Sequence, residues 1–116
     1  MECKIRSEGH IQVLEFSGSL DSSTVKGARP WLLNATGSRP ARVVVDLTQL
    51  DFLDSTGLSV LVESKRRALE NDGDLLLCGL RQPVRIVFEL TRLDRFFEIF
   101  RLEKEALAAF ELQSAN

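Results

Sequence analysis

The sequence has little of the material from which catalytic and metal sites are built. Its 116 residues include one histidine and two cysteines. No CxxC pair and no Cys/His group with metal-ligand spacing is present, so we expect no metal site. Ser55 has no G-x-S-x-G surroundings, His10 lies far from it in a predicted turn, and the glycine spacing fits neither a P-loop nor a dinucleotide fingerprint. These absences predict a protein that is not an enzyme and holds no cofactor.

Long apolar runs and an excess of one charge are also missing. No window approaches the length needed to cross a bilayer, and the N-terminus has no apolar signal region, so we expect a cytoplasmic protein without direct membrane insertion. The formal net charge of -2 and the pI of 5.4 argue against nucleic-acid binding. The basic run 65–67 is predicted to lie on a solvated helix face, because Glu63 and Glu70 flank it at i,i+4 pairing distance. Cys78, inside an apolar run, is expected to be buried.

What is present is a succession of short elements in a chain long enough for one domain, 1–116, with one hydrophobic core. Residues 2–17 predict a hairpin with its turn at 7–10, and residues 18–23 predict a loop rich in capping residues. Gly27 and Pro30 weaken the helix that follows, which therefore either begins late, with Pro30 near its first turn, or is kinked. The remaining predicted elements are a buried strand at 42–47, a helix at 58–70 closed by a left-handed Gly73, a buried strand at 75–78, a helix from Pro83 to about 92, a strand at 97–100 and a helix at 103–112.

This order predicts an α/β fold. Strands that alternate with helices pair in parallel through right-handed crossovers, whereas the N-terminal hairpin must be antiparallel. We therefore expect a small open sandwich with a mixed four- to five-stranded sheet and about four helices. Ligands of such sheets bind beyond the carboxyl ends of the strands, where Asp46, the 54–57 turn and the 79–81 turn are predicted to lie.

The most informative stretch is Asp54-Ser55-Thr56-Gly57, between a predicted strand and a predicted helix. The start of a helix offers free backbone N–H groups and the positive end of the helix dipole, so a phosphate added there would find partners. Gly57 is expected to leave the backbone open to another protein. The alternative is that Ser55 and Thr56 are ordinary helix caps. Asp21 has the same two interpretations, a cap of the first helix or a partner contact.

Four segments in register resemble a known family. They are Gly18-Ser19-Leu20-Asp21, Val44-Val45-Asp46-Leu47, Phe52-Leu53-Asp54-Ser55-Thr56-Gly57-Leu58 and Glu89-Leu90-Thr91-Arg92-Leu93-Asp94-Arg95-Phe96-Phe97. Together they span nearly the whole chain and resemble the STAS domain, in particular the stand-alone bacterial anti-sigma-factor antagonists. The third segment is similar to the phosphorylation motif of that family.

The resemblance implies a partner switch. The unmodified antagonist would bind an anti-sigma factor that is often a serine kinase and so free a sigma factor, and a PP2C-type phosphatase would reverse the phosphorylation. By position the phosphoacceptor would be Ser55, with Thr56 as second choice. The implied partner-binding residues are Asp21, Ser22, Ser23, Asp54, Ser55, Thr56, Gly57 and Leu58, and the free protein would be a monomer.

Other functions of the same domain type stay open at this point. The domain also occurs as a subunit of membrane lipid transporters, in stress-sensing complexes and as a small-molecule or nucleotide sensor. For the switch, we expect phosphorylation to cause little refolding, because a negative charge at a helix N-terminus is tolerated. Its effect should fall on docking, where the partner would have to desolvate the phosphate.

Overall fold

The computed structural model describes residues 1–114. A five-stranded sheet in the order β1-β2-β3-β4-β5 forms its centre. The strands are β1 Glu2–Glu8, β2 Ile11–Leu20, β3 Arg42–Leu53, β4 Asp74–Cys78 and β5 Ile99–Phe100. The helices are α1 Val25–Ala35, α2 Ser55–Glu70, α3 Gln82–Leu90 and α4 Glu103–Ser114, with a 3-10 turn at Leu93–Arg95. β1 pairs antiparallel with β2, and the other pairs are parallel, so the predicted mixed α/β sheet is confirmed.

Apolar residues on both faces of the central strands give the sheet two separate cores. Val43 and Val45 of β3 pack in the larger core, which α1, α2 and α3 cover. Val44, between them in sequence, points to the opposite face, where Ala106 and Phe110 of α4 cover it. This alternation is what a strand buried on both sides requires. Three helices therefore lie on one face of the sheet and one on the other.

β2 and β3 are both longer than the sequence predicted. Their parallel pairing continues as far as Leu20 opposite Leu53, although β4 pairs with β3 only as far as Asp46. The prediction of a loop from residue 18 was therefore wrong for Gly18 to Leu20. Asp46 is likewise not at the end of β3, and its Oδ1 accepts a hydrogen bond from the Thr48 amide at 2.9 Å. Polar side chains at 48, 49 and 51 obscured this half of the strand in the sequence.

The helices also differ from prediction in detail. α1 runs through Pro30, so it neither begins late nor has this proline in its first turn. α2 begins at Ser55, three residues before its predicted start. The left-handed residue after α2 is Asp72, with φ 59°, whereas Gly73 is required because a Cβ there would collide with the Ala41 backbone.

The basic run 65–67 is not a uniformly solvated face. Lys65 is buried, its Nζ lies 2.6 Å from Asp74 Oδ1, and it sits over the Phe96 ring. The i,i+4 pairs expected on α2, Glu63–Arg67 and Arg66–Glu70, are not formed in the described part of the chain, and Glu63 pairs instead with Arg29 at 2.6 Å. His10 is exposed, and Cys78 is buried, as predicted for this cysteine. In the described part of the chain, no helix has the length and hydropathy of a membrane span.

Candidate functional site

The ends of β2 and β3 bring two polar segments together at one edge of the sheet. Leu20 lies opposite Leu53, and the Asp54 amide donates to the Leu20 carbonyl at 3.3 Å. Just beyond this pair, the Ser22 amide donates to Asp54 Oδ2 at 3.3 Å. The loop before α1 and the start of α2 thus form one surface. We call it the strand-end surface and define it as Asp21, Ser22, Ser23, Asp54, Ser55 and Thr56.

Asp54 is the N-cap of α2. Its backbone is extended, and its Oδ1 accepts hydrogen bonds from the Thr56 amide at 2.9 Å and the Gly57 amide at 3.0 Å. The interpretation of Ser55 and Thr56 as the helix caps is therefore wrong, since a neighbouring carboxylate performs that role. The expectation of free helix amides holds only for the Ser55 amide in the described chain, because Asp54 occupies those of Thr56 and Gly57.

Ser55 and Thr56 are the first two residues of α2, and both are exposed. Neither hydroxyl makes a hydrogen bond to any residue in the described range 1–114. Shallow grooves run along α2 on either side of them. One reaches Ser55 and is lined by Leu58, Ser59, Val62, Glu63, Arg66 and Leu93; the other reaches Thr56 and is lined by Val25, Lys26, Arg29, Ser59, Val60 and Glu63. The two hydroxyls are accessible to another molecule.

Asp21 holds the turn that leads into α1. Its Oδ1 accepts from the Ser23 amide at 2.9 Å and the Ser23 hydroxyl at 2.6 Å, and from the Thr24 amide at 3.2 Å. These hydrogen bonds, above all that of the Ser23 hydroxyl, lower the pKa of the Asp21 carboxyl. Neither Asp21 nor Asp54 forms an ion pair with any described residue. The strand-end surface therefore carries two carboxylates that form no ion pair in the described chain, while Lys26, Arg29 and Arg66 line the grooves beside it.

Gly57 and Leu58 lie beneath this surface and are buried. A Cβ at Gly57 would collide with the Leu20 carbonyl oxygen, so this glycine permits close packing of α2 on the end of β2. The expectation that Gly57 opens the backbone to another protein is wrong for this reason.

The remaining candidates do not join the strand-end surface. Arg81, in the 79–81 turn, pairs with Asp51 at 2.7 Å. Glu15, Asp46 and Glu103 bring three carboxylates within 4.8 Å of one another. Arg6 already pairs there with Glu15, at 3.1 Å, and with Glu103, so a side-chain cation balances this cluster.

Residues 3–106 of the chain match the STAS domain family. The anti-sigma F factor antagonist of Paenibacillus polymyxa is 27% identical over 117 residues, covering 98% of this chain and 100% of that protein. The anti-sigma-B factor antagonist of Listeria monocytogenes is 30% identical over 105 residues, or 90% of this chain and 91% of that protein. BtrV of Bordetella bronchiseptica is 37% identical over 70 residues, and this chain spans 60% of its length. Similarity of sequence thus extends over nearly the whole chain.

Solved structures share the fold. An anti-sigma factor antagonist from Mycobacterium paratuberculosis has a TM-score of 0.83 at 24% identity, covering 93% of this chain and 92% of that one. SpoIIAA in its unphosphorylated form has a TM-score of 0.78 at 20% identity, with coverage of 95% and 96%. Bacillus SpoIIAA in its phosphorylated form has a TM-score of 0.71 at 21% identity, with coverage of 94% and 99%. A sulfate transporter family protein from Wolinella succinogenes has a TM-score of 0.76 at 16% identity, with coverage of 92% and 89%. These likenesses establish the architecture and do not separate its functions.

Proposed function

This chain belongs to the STAS domain family, and from that premise we propose that it is an anti-sigma-factor antagonist. In this role it binds and sequesters an anti-sigma factor when unphosphorylated and so regulates transcription in the cytoplasm. The partner class comes from the names of two relatives that align over at least 90% of this chain. The protein acts as a regulator by binding, as a monomer, without chemistry of its own.

The observation that carries the proposal is the exposed Ser55 hydroxyl, which has no partner in the described chain and stands beside Asp54. We propose Ser55 as the phosphoacceptor and Thr56 as second choice. The anti-sigma factor would be a serine kinase: the Ser55 oxygen forms a bond to the γ-phosphorus of ATP, ADP leaves, and the hydroxyl proton goes to a base of the kinase. A PP2C-type phosphatase would return Ser55 by hydrolysis, with release of phosphate.

Charge at the strand-end surface explains how such a modification would end binding. Phosphorylation adds about -1.5 to -2 charges at neutral pH. Asp21 and Asp54 already place on this surface two carboxylates that form no ion pair with any described residue. A docked partner would have to remove water from all of these groups, and an unpaired buried charge costs about 3–5 kcal/mol. That penalty weakens binding by at least about a hundredfold.

A role in a transporter or stress-sensing complex is the second candidate. A sulfate transporter family protein has the same fold, but at 16% identity this likeness shows the architecture alone. The relatives with antagonist names align more closely in sequence, at 27% and 30% identity over nearly the whole chain. A small-molecule or nucleotide sensor has no comparable support, since the grooves beside α2 are shallow and open.

The test compares Ser55→Ala with Ser55→Asp in binding to a cognate anti-sigma factor chosen from the gene neighbourhood. Calorimetry should give the Ala variant an affinity near that of the natural chain, whereas the Asp variant, with one added charge, should bind at least about tenfold more weakly. Incubation with the partner and ATP should add the mass of one phosphate to the natural chain and none to Ser55→Ala.

Two controls make this comparison decisive. Ser38→Asp adds the same charge at an exposed site in the loop after α1, and it should leave the affinity unchanged. Circular dichroism should show that all variants stay folded. Equal binding of Ser55→Ala and Ser55→Asp by folded proteins would refute the charge mechanism, and phosphate on Ser55→Ala would move the assignment to Thr56.

A further inference from the structure

Asp54 joins the two halves of the strand-end surface through its two carboxylate oxygens. Oδ1 accepts from the amides of Thr56 and Gly57 in α2, at 2.9 and 3.0 Å. Oδ2 accepts from the amide of Ser22, in the loop before α1, at 3.3 Å. One rotatable side chain therefore caps a helix and ties that helix to the neighbouring loop.

A phosphate on Ser55 would enter a helix turn whose donors are already in use. An α-helix offers the amides of its first three residues to an anion, because none of these has an acceptor within the helix. In α2 two of the three, Thr56 and Gly57, are bonded to Asp54, and only the Ser55 amide has no acceptor in the described chain. A phosphate brings three acceptor oxygens and up to about two negative charges to this turn. It must share the amides with a singly charged carboxylate one residue away.

On the premise that Ser55 is phosphorylated, we propose that Asp54 is the positioning residue through which the phosphate affects the loop before α1. The phosphate takes over the amides of the first turn of α2, and the Asp54 carboxylate, repelled by the greater charge, rotates out into solvent. Its departure also removes the acceptor of the Ser22 amide and so releases the loop before α1 from α2. Asp21 keeps that loop folded through its own bonds to Ser23 and Thr24, so the change is a local loosening of one connection.

The geometry favours displacement of Asp54 over its retention. Asp54 is partly exposed and lies in no ion pair in the described chain, so no cation holds its carboxylate in place. The bond to Ser22 is at the long end of the range for an amide donor. The helix dipole and charge-assisted hydrogen bonds both stabilise the more highly charged group at this position. Phosphorylation would then act on binding in two ways: it adds charge, and it breaks the connection between the loop before α1 and the start of α2.

The experiment measures whether phosphate and Asp54 compete. Phosphoserine is incorporated at position 55 during translation, so that no kinase is needed, and Asp54→Ala is made with and without it. Without phosphate, loss of the cap should lower Tm by about 3–8 °C. With phosphate, the Tm loss caused by the same substitution should be at most about half of the loss without phosphate, because the phosphate already serves as the cap. The amide NMR signals of Ser22, Thr56 and Gly57 should move on phosphorylation in the natural chain, and the Ser22 signal should move toward its position in unphosphorylated Asp54→Ala.

Asp51→Ala is the matched control. Asp51 is also an exposed carboxylate close to Ser55 in sequence, but it pairs with Arg81 and caps no helix. Phosphate should leave the effect of Asp51→Ala on Tm unchanged. If Asp54→Ala is too unstable to study, Asp54→Asn keeps a capping oxygen without the charge, and the Ser22 signal then reports the same competition.

Equal losses of Tm for Asp54→Ala in both forms, with an unmoved Ser22 amide, would overturn the inference. These measurements use the isolated, phosphorylated chain and no partner. A failure to bind an anti-sigma factor would instead refute the proposed function, so the two failures can be told apart.

Discussion

Gly57 sets how closely the first turn of α2 approaches the end of β2. Its position lies against the Leu20 carbonyl oxygen and the side chains of Leu20 and Leu53. Because α2 begins at this contact, Gly57 also fixes where Ser55 and Thr56 emerge from the sheet edge. A buried glycine thus determines the placement of exposed hydroxyls.

Substitution of this glycine tests that role. Gly57→Ala should lower the free energy of unfolding by about 1–3 kcal/mol, since the new methyl group meets a backbone oxygen that cannot move without disturbing β2. Urea unfolding measures the change. Gly27→Ala is the control, because no atom lies within 4 Å of a Cβ there and a helical glycine replaced by alanine should raise stability by about 0.5–1 kcal/mol. An unchanged free energy of unfolding in Gly57→Ala would contradict this account, because it would mean that the packing at Leu20 is loose.

At the scale of elements, α1 carries an internal weakness in Pro30. The proline lies in the sixth position of the helix and has no N–H to donate to the carbonyl of Lys26. The helix persists because tertiary packing compensates: Ala28, Leu32 and Ala35 are buried against the sheet. α1 is therefore held by its apolar face more than by its own backbone.

Removing the proline should stabilise the protein. Pro30→Ala restores an amide donor at an exposed position, and a proline inside a helix costs about 3 kcal/mol. The greater chain entropy of the unfolded variant offsets about 0.4–1 kcal/mol of this. We expect a net gain of about 2–2.6 kcal/mol in the free energy of unfolding, measured in urea. Lys26→Ala, exposed in the same helix, should change stability by no more than about 0.5 kcal/mol, and a loss of stability in Pro30→Ala would contradict this account.

α2, in contrast, is anchored toward both ends. Asp54 and Gly57 fix its start, and the buried Lys65 pairs with Asp74 near its other end. The Lys65 ammonium lies 5.7 Å from the centre of the Phe96 ring, a distance at which the aromatic face attracts it. The packing of Gly57 on β2 and the pairing of Lys65 with Asp74 do not depend on the Asp54 cap, which fits the expectation that a charge added at Ser55 leaves the fold intact.

At the scale of the whole molecule, α4 alone covers the second core on the far side of the sheet. Ala106 and Phe110 pack there against Ile11, Val13, Val44, Leu76 and Cys78. Burial raises the pKa of the Cys78 thiol to about 12, and nearby Asp46 contributes to the shift. The thiol is therefore unreactive while α4 is in place.

Thiol labelling should report the detachment of α4. In a Cys3→Ser background, Phe110→Ala should accelerate labelling of Cys78 by at least about a hundredfold, since loss of a buried phenylalanine costs about 3–5 kcal/mol. Lys104→Ala, exposed in α4, should leave the rate unchanged. The labelling of Phe110→Ala should depend only weakly on urea. A urea dependence as steep as that of global unfolding would show that α4 does not open independently.

Several elements could be predicted from short-range pattern. The apolar runs of β3 and β4 and the proline-initiated α3 appear where the sequence placed them. The half of β3 after Leu47 could not be predicted, because Thr48, Gln49 and Asp51 lie beyond the end of β4, where polar side chains are tolerated. Lys65 could not be assigned to the interior either, since its burial depends on Asp74 and Phe96 from other elements.

At the strand-end surface, too, some features could be predicted from the sequence and others could not. The sequence alone identified Asp54-Ser55-Thr56-Gly57 as the informative stretch, because its residue types occur at helix starts and resemble a family motif. Which of them caps the helix was decided by the tertiary structure, since Asp54 can bond Thr56, Gly57 and Ser22 at once only where β2 and β3 end side by side. Local pattern therefore determined the elements and their order, because those depend on near neighbours along the chain. Long-range pairing decided which polar groups are bonded and which are left for another molecule, because hydrogen bonds between β2, β3 and α2 exist only in the folded sheet.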